Sequence, residues 1–590
     1  MTTQIVFGTL LVLLSWLAVV ILLHAIGRTI VMWVKGEAAP KDTHWRMSLW
    51  WGTAVLTGLI VALSLVLPLN SSLVAVVLIG VALSGAGVSW ILRPPHFPSW
   101  SRPSWNVAVW MAAIAGAVVY LAAKALGPVT NYDSGLYHLG LIQYSFDYSV
   151  IPGLANLYFP FGYANAQFPL AAVLGNGPWE GVGYRLLNGA VLVVVVADLM
   201  SRVLNRRWSW GTFVLLIGVS ASLLPMVVLA DDMVTSPTSD TSVMLLSLVS
   251  ATYLADALEQ SKLRSTNATI ALILAALTVV FRPTMAIFAV GTVIVVFIVI
   301  LRGTPKPHLS GRPVAATFLV LILLSMSSLV RDAFLSGWLV YPLSMLPLSV
   351  SWLSMDPSPW RTATLAAARD PGSSDGYLTA NSWDWIGAWI ARLPQQWEPW
   401  FLGIGLLTLV IVMWWSRKMH LPAGSRRKLL LALAPSLLAV TAWFVLSPPS
   451  FRFIWGPLFL LLYLPLGMWT QALRGDLAAY PTAQTPTGRF VVACALAVAT
   501  ATSISLLERN QFSTITEPRS WDLGALSIPY AVTPIPQPAT QEVETQSGLV
   551  VTKPVVGDQC WGNYPLCTFL TSGEIALRGT TIQEGFERNQ

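Results

Sequence analysis

Apolar runs, each close to one membrane thickness, alternate with short polar stretches along most of the chain. A helix needs about 20 mostly apolar residues to cross the hydrocarbon layer. By that measure the pattern predicts about fourteen spanning helices, at 4–27, 48–67, 71–92, 105–126, 185–201, 209–229, 239–257, 267–281, 284–301, 314–335, 397–416, 428–446, 453–473 and 489–507. The eighth is short, and Arg282-Pro283 after it is either a break or a kink, so the pattern fixes the count to within about two. The first run has no basic stretch before it and no small-residue cleavage site after it, so it is expected to be a retained helix.

Two interruptions are long, at 127–184 and 335–396, and both are rich in Trp, Tyr, Pro and Gly. That content suits short amphipathic segments at the membrane interface. After Leu507 the chain turns polar, and short apolar stretches such as GLVVTKPVV predict a small strand-containing tail. The expected fold class is therefore an all-α polytopic membrane protein with a small α+β or β-rich C-terminal domain. The chain divides into 1–104, 105–396, 397–507 and 508–590.

Composition agrees: 55% of residues are hydrophobic and 10% charged, where a soluble domain carries about 25% charged residues. The net charge of +7 is not a nucleic-acid footprint, because the basic residues fall in short loops. Arg28, Lys35, Lys41, Arg46, Arg93, Arg102, Arg202, Arg206 and Arg207 lie on one side of the alternation. So do Lys262, Arg264, Arg302, Lys306, Arg312, Arg417, Lys418, Arg426, Arg427, Lys428, Arg474 and Arg489, making roughly 21 of the 34 Lys and Arg. The positive-inside rule puts that side in the cytoplasm. The N-terminus, both long loops and the tail are then expected on the extracytoplasmic face of a bacterial plasma membrane.

The polar residues on that face are few. NYDSGLYH opens the first long loop, with Asp133 beside Tyr132, Tyr137 and His138. Asp133 reads either as a solvated acid or N-cap for the segment from Ser134, or as a reactive carboxylate in a hydrogen-bonding pocket suited to a sugar or lipid head group. LADDMVTSPTSD places Asp231, Asp232 and Asp240 in the next short loop without an offsetting base. Such acids repel unless they meet a cation or polar substrate, and Asp240 also suits a helix N-terminus. Arg282, Arg331 and Arg452 complement them, and either bind phosphate oxygens or snorkel to lipid head groups. His138 is a proton shuttle or a plain hydrogen-bonding group. Cys560 and Cys567 lie in the tail and read as a disulfide or as two free thiols; Cys494 sits in the last apolar run. No GK[ST] phosphate loop and no HExxH motif occurs, and no zinc ligand set accompanies the cysteines.

This layout resembles the GT-C superfamily of membrane glycosyltransferases. The resemblance rests on helices four to ten, with Asp133 in a long first loop, Asp231 and Asp232 in a short second loop, Arg282 in the third, and the long 335–396 loop as the fourth. It covers roughly residues 105–396. The strings YDSGLYHLGLIQY, IPGLANLYFPFGY, RDAFLSGWLVYP, RFIWGPL and CWGNYPLCT are also similar to a little-characterised bacterial family of such proteins. The resemblance implies a seven-helix catalytic module and a polyprenyl-phosphate sugar donor. It further implies a cell-envelope glycan, lipid or protein acceptor, and inverting displacement. Asp133 would be the general base, and Tyr132, Tyr137, His138, Asp231, Asp232, Arg282, Arg331 and Arg452 would contact substrate. The sequence departs from the superfamily in having three helices before the module, one aspartate rather than an acidic pair in the first loop, and no DxD or WWD motif. No cofactor is certain, and a divalent metal is left open.

Three other readings share the composition. A lipid-linked saccharide flippase or transporter would place ionisable residues at mid-membrane in two related halves. A polysaccharide polymerase or ligase would use the same donor class. A non-catalytic envelope assembly protein would keep the fold without the acids.

Overall fold

In the computed structural model, the residues described are 2–35, 41–92, 105–228, 233–302, 311–369, 382–415, 424–446, 449–478, 511–524, 526–569 and 575–588. The N-terminal helices are α1 (Thr2–Lys35), α2 (Lys41–Ser64), α3 (Ser72–Leu92) and α4 (Trp105–Lys124). Within the first long loop lie α5 (Leu139–Asp147), α6 (Leu154–Leu157) and α7 (Gln167–Val173). The bundle continues with α8 (Leu187–Leu204), α9 (Trp210–Val228), α10 (Ser239–Glu259), α11 (Arg264–Phe281), α12 (Ala286–Arg302) and α13 (Gly311–Ser336). The second long loop holds α14 (Ser358–Arg369) and α15 (Trp385–Arg392), followed by α16 (Trp397–Trp415), α17 (Ser425–Leu446) and α18 (Trp455–Ala478).

Among the described residues, eleven helices are long and apolar enough to cross a membrane, and α3 and α9 contribute shorter apolar helices. The chain is a multi-pass membrane protein. Helices occupy the first thirteen expected runs; the fourteenth, 489–507, lies outside the described residues. Helices α1 and α2 overrun their apolar runs, because a helix keeps its backbone groups paired through the interfacial layer as well as the core. The Arg282-Pro283 step is a true break. α11 ends at Phe281, Arg282 is extended, and a short turn at Pro283–Met285 leads into α12.

Helix α10 forms the centre and is buried on nearly every face, packed by α8, α9, α11 and α18. α1 and α2 cross at glycine. A Cβ on Gly27 would fall 1.8 Å from the Ser48 carbonyl oxygen, and one on Gly52 would fall 1.9 Å from that of Leu23. Small residues are what allow such approach where lipid offers no hydrophobic drive.

Two cations that the sequence pattern assigns to inner loops lie inside the bundle instead. Arg202, on α8, donates to Asp198 at 2.7 Å and to Asp256 at 2.6 Å. Arg46, on α2, lies 3.7 Å from Asp198. Trp50 and Tyr253 also donate to Asp198, at 2.7 and 2.9 Å. All these charged groups are buried. Two acids and two bases cancel in charge, which is how ionisable groups survive there. The positions of Arg46 and Arg202 therefore reflect helix packing as well as topology.

The tail is built of three separate antiparallel hairpins: β1 (Glu517–Leu523) with β2 (Leu526–Val532), β3 (Thr540–Glu544) with β4 (Val550–Pro554), and β5 (Ile575–Leu577) with β6 (Phe586–Arg588). No hairpin has its own two-sided core: the first and third lie on the helical body, and the second is tied to the third by hydrogen bonds from the Thr545 and Ser547 hydroxyls to the Ile575 carbonyl. β2 packs on α1. Arg185, fully buried at the start of α8, donates to the Thr533 carbonyl at 2.6 Å and to that of Gly127. The Phe586 amide donates to Pro152 at 2.9 Å. Cys560 and Cys567 are disulfide-bonded, with Cα atoms 5.9 Å apart.

Candidate functional site

The NYDSGLYH segment follows α4 and folds as a π-helical turn, Ser134–His138, running straight into α5. Single π turns inside helical segments recur at functional sites. Asp133 flanks this turn, but its side chain does not cap it. Its amide donates to Asn131 Oδ1 at 3.1 Å, and its carboxylate turns away to meet Arg452 Nη2 at 2.8 Å. Both partners keep some access to solvent, the side chains being 22% and 34% exposed.

Arg452 sits on a short helical turn, Phe451–Phe453, between α17 and α18. Tryptophans hold that turn from the side. Trp389 Nε1 donates to the Pro449 carbonyl at 2.9 Å, and Trp443 Nε1 donates to that of Ser450 at 3.0 Å. Phe451 stacks against Trp389, with ring centres 5.7 Å apart. The second long loop thus positions Arg452 through α15. The Arg452 and Arg282 guanidinium groups lie over the Phe453 ring, 5.0 and 5.1 Å from its centre. The ring's negative face lets two cations share a small volume.

Arg282 continues the chain of charges. The helix break at 282–283 leaves it extended, and its guanidinium pairs with Asp240 and donates to Ser239 Oγ at 3.1 Å. Asp240 is buried in the first turn of α10, where Thr238 provides the cap and donates from Oγ1 to Asp240 Oδ2 at 2.8 Å. Acid–base–base–acid therefore runs from Asp133 through Arg452 and Arg282 to Asp240, with both cations over one aromatic ring. Burial pulls the Arg452 guanidinium towards losing its proton. Asp133 and Asp240 more than offset this, and it is held above its ordinary value.

Buried amides fix this geometry. Asn188 Nδ2 donates to the carbonyls of Met233, Ser236 and Thr238 at 2.8–3.0 Å. Its Oδ1 accepts from Gln167 at 3.1 Å and Ser242 at 2.8 Å. Ser134 and Ser236 hydroxyls lie 2.7 Å apart and join the first loop to this turn.

The predicted residues divide. Asp133, Arg452 and Arg282 come together, with Tyr137 and His138 directly behind Asp133. Tyr132 is exposed and donates to Asp558 of the tail, while Gln559 donates to the Tyr132 carbonyl at 2.8 Å. Desolvation of part of its side chain first, then the Asp558 hydrogen bond, pushes its phenol up to about 12. Arg331, expected with the other outer-face cations, does not join them. It lies within α13, fully buried, and donates to Ser64 and Ser145 hydroxyls at 2.9 Å each. It ties α2, α5 and α13 together, because a buried guanidinium needs several acceptors and helix-end serines supply them. Asp231 and Asp232 lie outside the described residues. Asp240, which by sequence suits either an acidic cluster or a helix start, is the acid that pairs with Arg282. Asn188, Gln167, Trp389 and Trp443 carry no motif that would have marked them.

His138 is buried against Tyr137 and Phe168, with ring centres 4.4 and 5.3 Å away, and its Nδ1 lies 3.4 Å from the Ser134 hydroxyl. Burial lowers its pKa from 6.5 to about 4, against the pull of Asp133. It is neutral near pH 7 and serves the site as a hydrogen-bonding wall. In the unfolded chain it would titrate near 6.5. Between these values the unfolded state binds more protons, so the contribution is complete above the unfolded value and is lost as pH falls towards the folded one. Thermal unfolding at pH 7 and pH 5 is therefore expected to show a drop for wild type and a smaller one for His138→Gln. Equal drops would acquit His138.

Among the described residues, no group of three or more His, Cys, Asp or Glu is placed to hold a metal ion. The Asp133 and Asp240 carboxylates are each paired with an arginine.

Among curated proteins none matches the chain. One similar solved structure is that of the arabinosyltransferase EmbB from Mycobacterium smegmatis, at 14% identity and a TM-score of 0.36; the match covers 74% of this chain and 41% of that one. The chain thus spans less than half the length of that protein. A family model described as a domain of unknown function, DUF8201, matches residues 10–459. That match takes in the helical body up to α18 and every predicted site residue on it, and the chain belongs to the DUF8201 family.

Proposed function

We propose that this protein is a membrane glycosyltransferase of the GT-C type, which moves a sugar from a polyprenyl-phosphate carrier to a cell-envelope glycan, lipid or protein acceptor at the extracytoplasmic face. The observation that carries the reading is the Asp133–Arg452 pair, 2.8 Å apart and partly exposed, at the end of a membrane bundle and beside a second cation, Arg282. A carboxylate takes the acceptor proton, and a cation takes the phosphate that leaves. The sequence resemblance over residues 105–396 supports the role of Asp133, and the similarity of the RFIWGPL string supports that of Arg452.

The chemistry follows from the charges. The donor phosphate meets Arg452, whose guanidinium is thereby drawn from Asp133. The freed carboxylate regains basicity as its counter-charge leaves. The acceptor hydroxyl attacks the anomeric carbon, its proton passes to Asp133, and the carbon–oxygen bond to the carrier phosphate breaks, leaving the lipid phosphate on Arg452. A single displacement inverts the anomeric centre. Arg282, locked to buried Asp240, shapes the electrostatic floor rather than moving. Tyr137 and His138 wall the site on the apolar side.

A transport reading would draw on Arg46, Asp198, Arg202 and Asp256 inside the bundle. Their charges cancel within one hydrogen-bonded cluster, which suits a structural plug better than a carrier site. The test is incorporation of label from a panel of polyprenyl-phosphate sugars into envelope glycans. It would use membranes containing the wild-type chain and membranes lacking it. Chain-dependent transfer from one donor is expected; no transfer from any donor, with lipid-linked sugar moved between leaflets instead, would replace this reading by the flippase.

A further inference from the structure

A cavity whose lining does not include Asp133 lies between the first long loop and the tail, with a volume of about 330 Å³. Ligand pockets run from roughly 300 to 1,000 Å³, so this space suits a small ligand or a short piece of a long one. Its walls carry four aromatic residues, Phe146, Tyr184, Trp561 and Tyr564, together with the amides of Gln143 and Gln537 and the guanidinium of Arg519. Gly181 and Gly183 leave part of the wall without side chains.

The charge in this cavity is already spent. Arg519 meets Glu517 at 2.8 and 2.9 Å and donates to the Glu180 carbonyl at 2.7 Å. An anion would find no free cation there. Flat apolar rings beside amide donors and acceptors instead suit a ligand with apolar faces and hydroxyl edges. Trp561 links this cavity to the site already described: its amide donates to the Gly135 carbonyl at 2.9 Å, and a Cβ on Gly135 would come within 2.3 Å of its ring. The Cys560–Cys567 bond closes the loop that carries Trp561 and Tyr564.

We propose that this cavity binds a neutral segment of the acceptor glycan, at a subsite separate from the one that holds the reacting hydroxyl. The inference rests on the glycosyl-transfer reading and adds where the acceptor chain is gripped. A chain seated there passes Trp561 on its way to the π turn at Asp133.

The test reads binding and not transfer. Immobilised neutral oligosaccharides (mannan, glucan, galactan and arabinan fragments) are presented to the purified full chain in detergent, by interferometry. Wild type is expected to be retained by at least one of them. Ile535→Trp, which fills the cavity from its lining, and Gln537→Ala, at an exposed position, are each expected to weaken retention about tenfold, as loss of one or two good contacts does. Gln537→Ala keeps the test open if the larger substitution disturbs folding. Retention by none of the glycans, or retention untouched by Gln537→Ala in protein with unaltered elution, would overturn the proposal. Glycan binding by a chain that transfers no sugar would leave the cavity standing and sink the transferase reading.

Discussion

Asp133→Asn is expected to lower sugar transfer by about 10²–10⁴-fold, the usual worth of a positioned general base. The substitution keeps the size of the side chain and an oxygen that can accept from Arg452, but it removes the basic carboxylate. The fold should survive, since the lost ion pair is partly exposed and such pairs contribute about 0–1 kcal/mol. The measurement is label incorporation from the active donor in membranes with matched protein levels. Transfer equal to wild type would reduce Asp133 to a loop acid. A fall in transfer together with a fall in protein level would point to folding instead, which the partly exposed pair does not predict.

The second large effect is expected at Arg452. Arg452→Ala should cost about 10²–10³-fold, comparable to removing one preorganised charge-stabilising donor. The loss should appear mainly in kcat, because phosphate charge is greatest as the bond to the sugar breaks. Lysine in its place should restore part of the rate, since it supplies the charge but not the fork. Arg282→Ala makes the contrast. It would strand Asp240, whose side chain is 1% exposed, and leaving a buried charge unpaired costs about 3–5 kcal/mol. Arg282→Ala should therefore lose folded protein, and Arg452→Ala should lose rate. The two are separated by measuring thermal unfolding alongside transfer. If Arg452→Ala transfers normally, the phosphate is held elsewhere.

Much of the site was readable in the chain. Asp133 stands out because an acid, two tyrosines and a histidine interrupt an otherwise apolar pattern. Arg282 stands out because a proline follows it and stops the helix. Arg452 stands out in SPPSFRF, where two prolines end α17. These are local signals of backbone and charge, so the sequence carries them. The pairing of Asp133 with Arg452, 319 positions later, is not local and left no periodic trace. Asp240 suited either an acidic cluster or a helix start, and only the tertiary structure pairs it with Arg282. Arg331 looked like its companions and proved to be a buried tie between three helices, because nothing in RDAFLSG reveals that Ser64 and Ser145 face it.

The apolar runs by themselves determined that this is a polytopic helical membrane protein with a strand-bearing tail. The backbone in lipid has no other partner for its polar groups than its own helix. They also located thirteen of the helices, although α1 and α2 overrun their runs and Arg331 lies inside α13 rather than at a loop. Only the tertiary structure decided which helix ends meet. It paired Asp133 with Arg452 and Asp240 with Arg282, set both cations over Phe453, buried Arg46 and Arg202 among acids, and laid the tail over the π turn. Such meetings depend on side-chain packing between helices far apart in sequence. In lipid that packing rests on close fit and on buried hydrogen bonds rather than on a hydrophobic pattern.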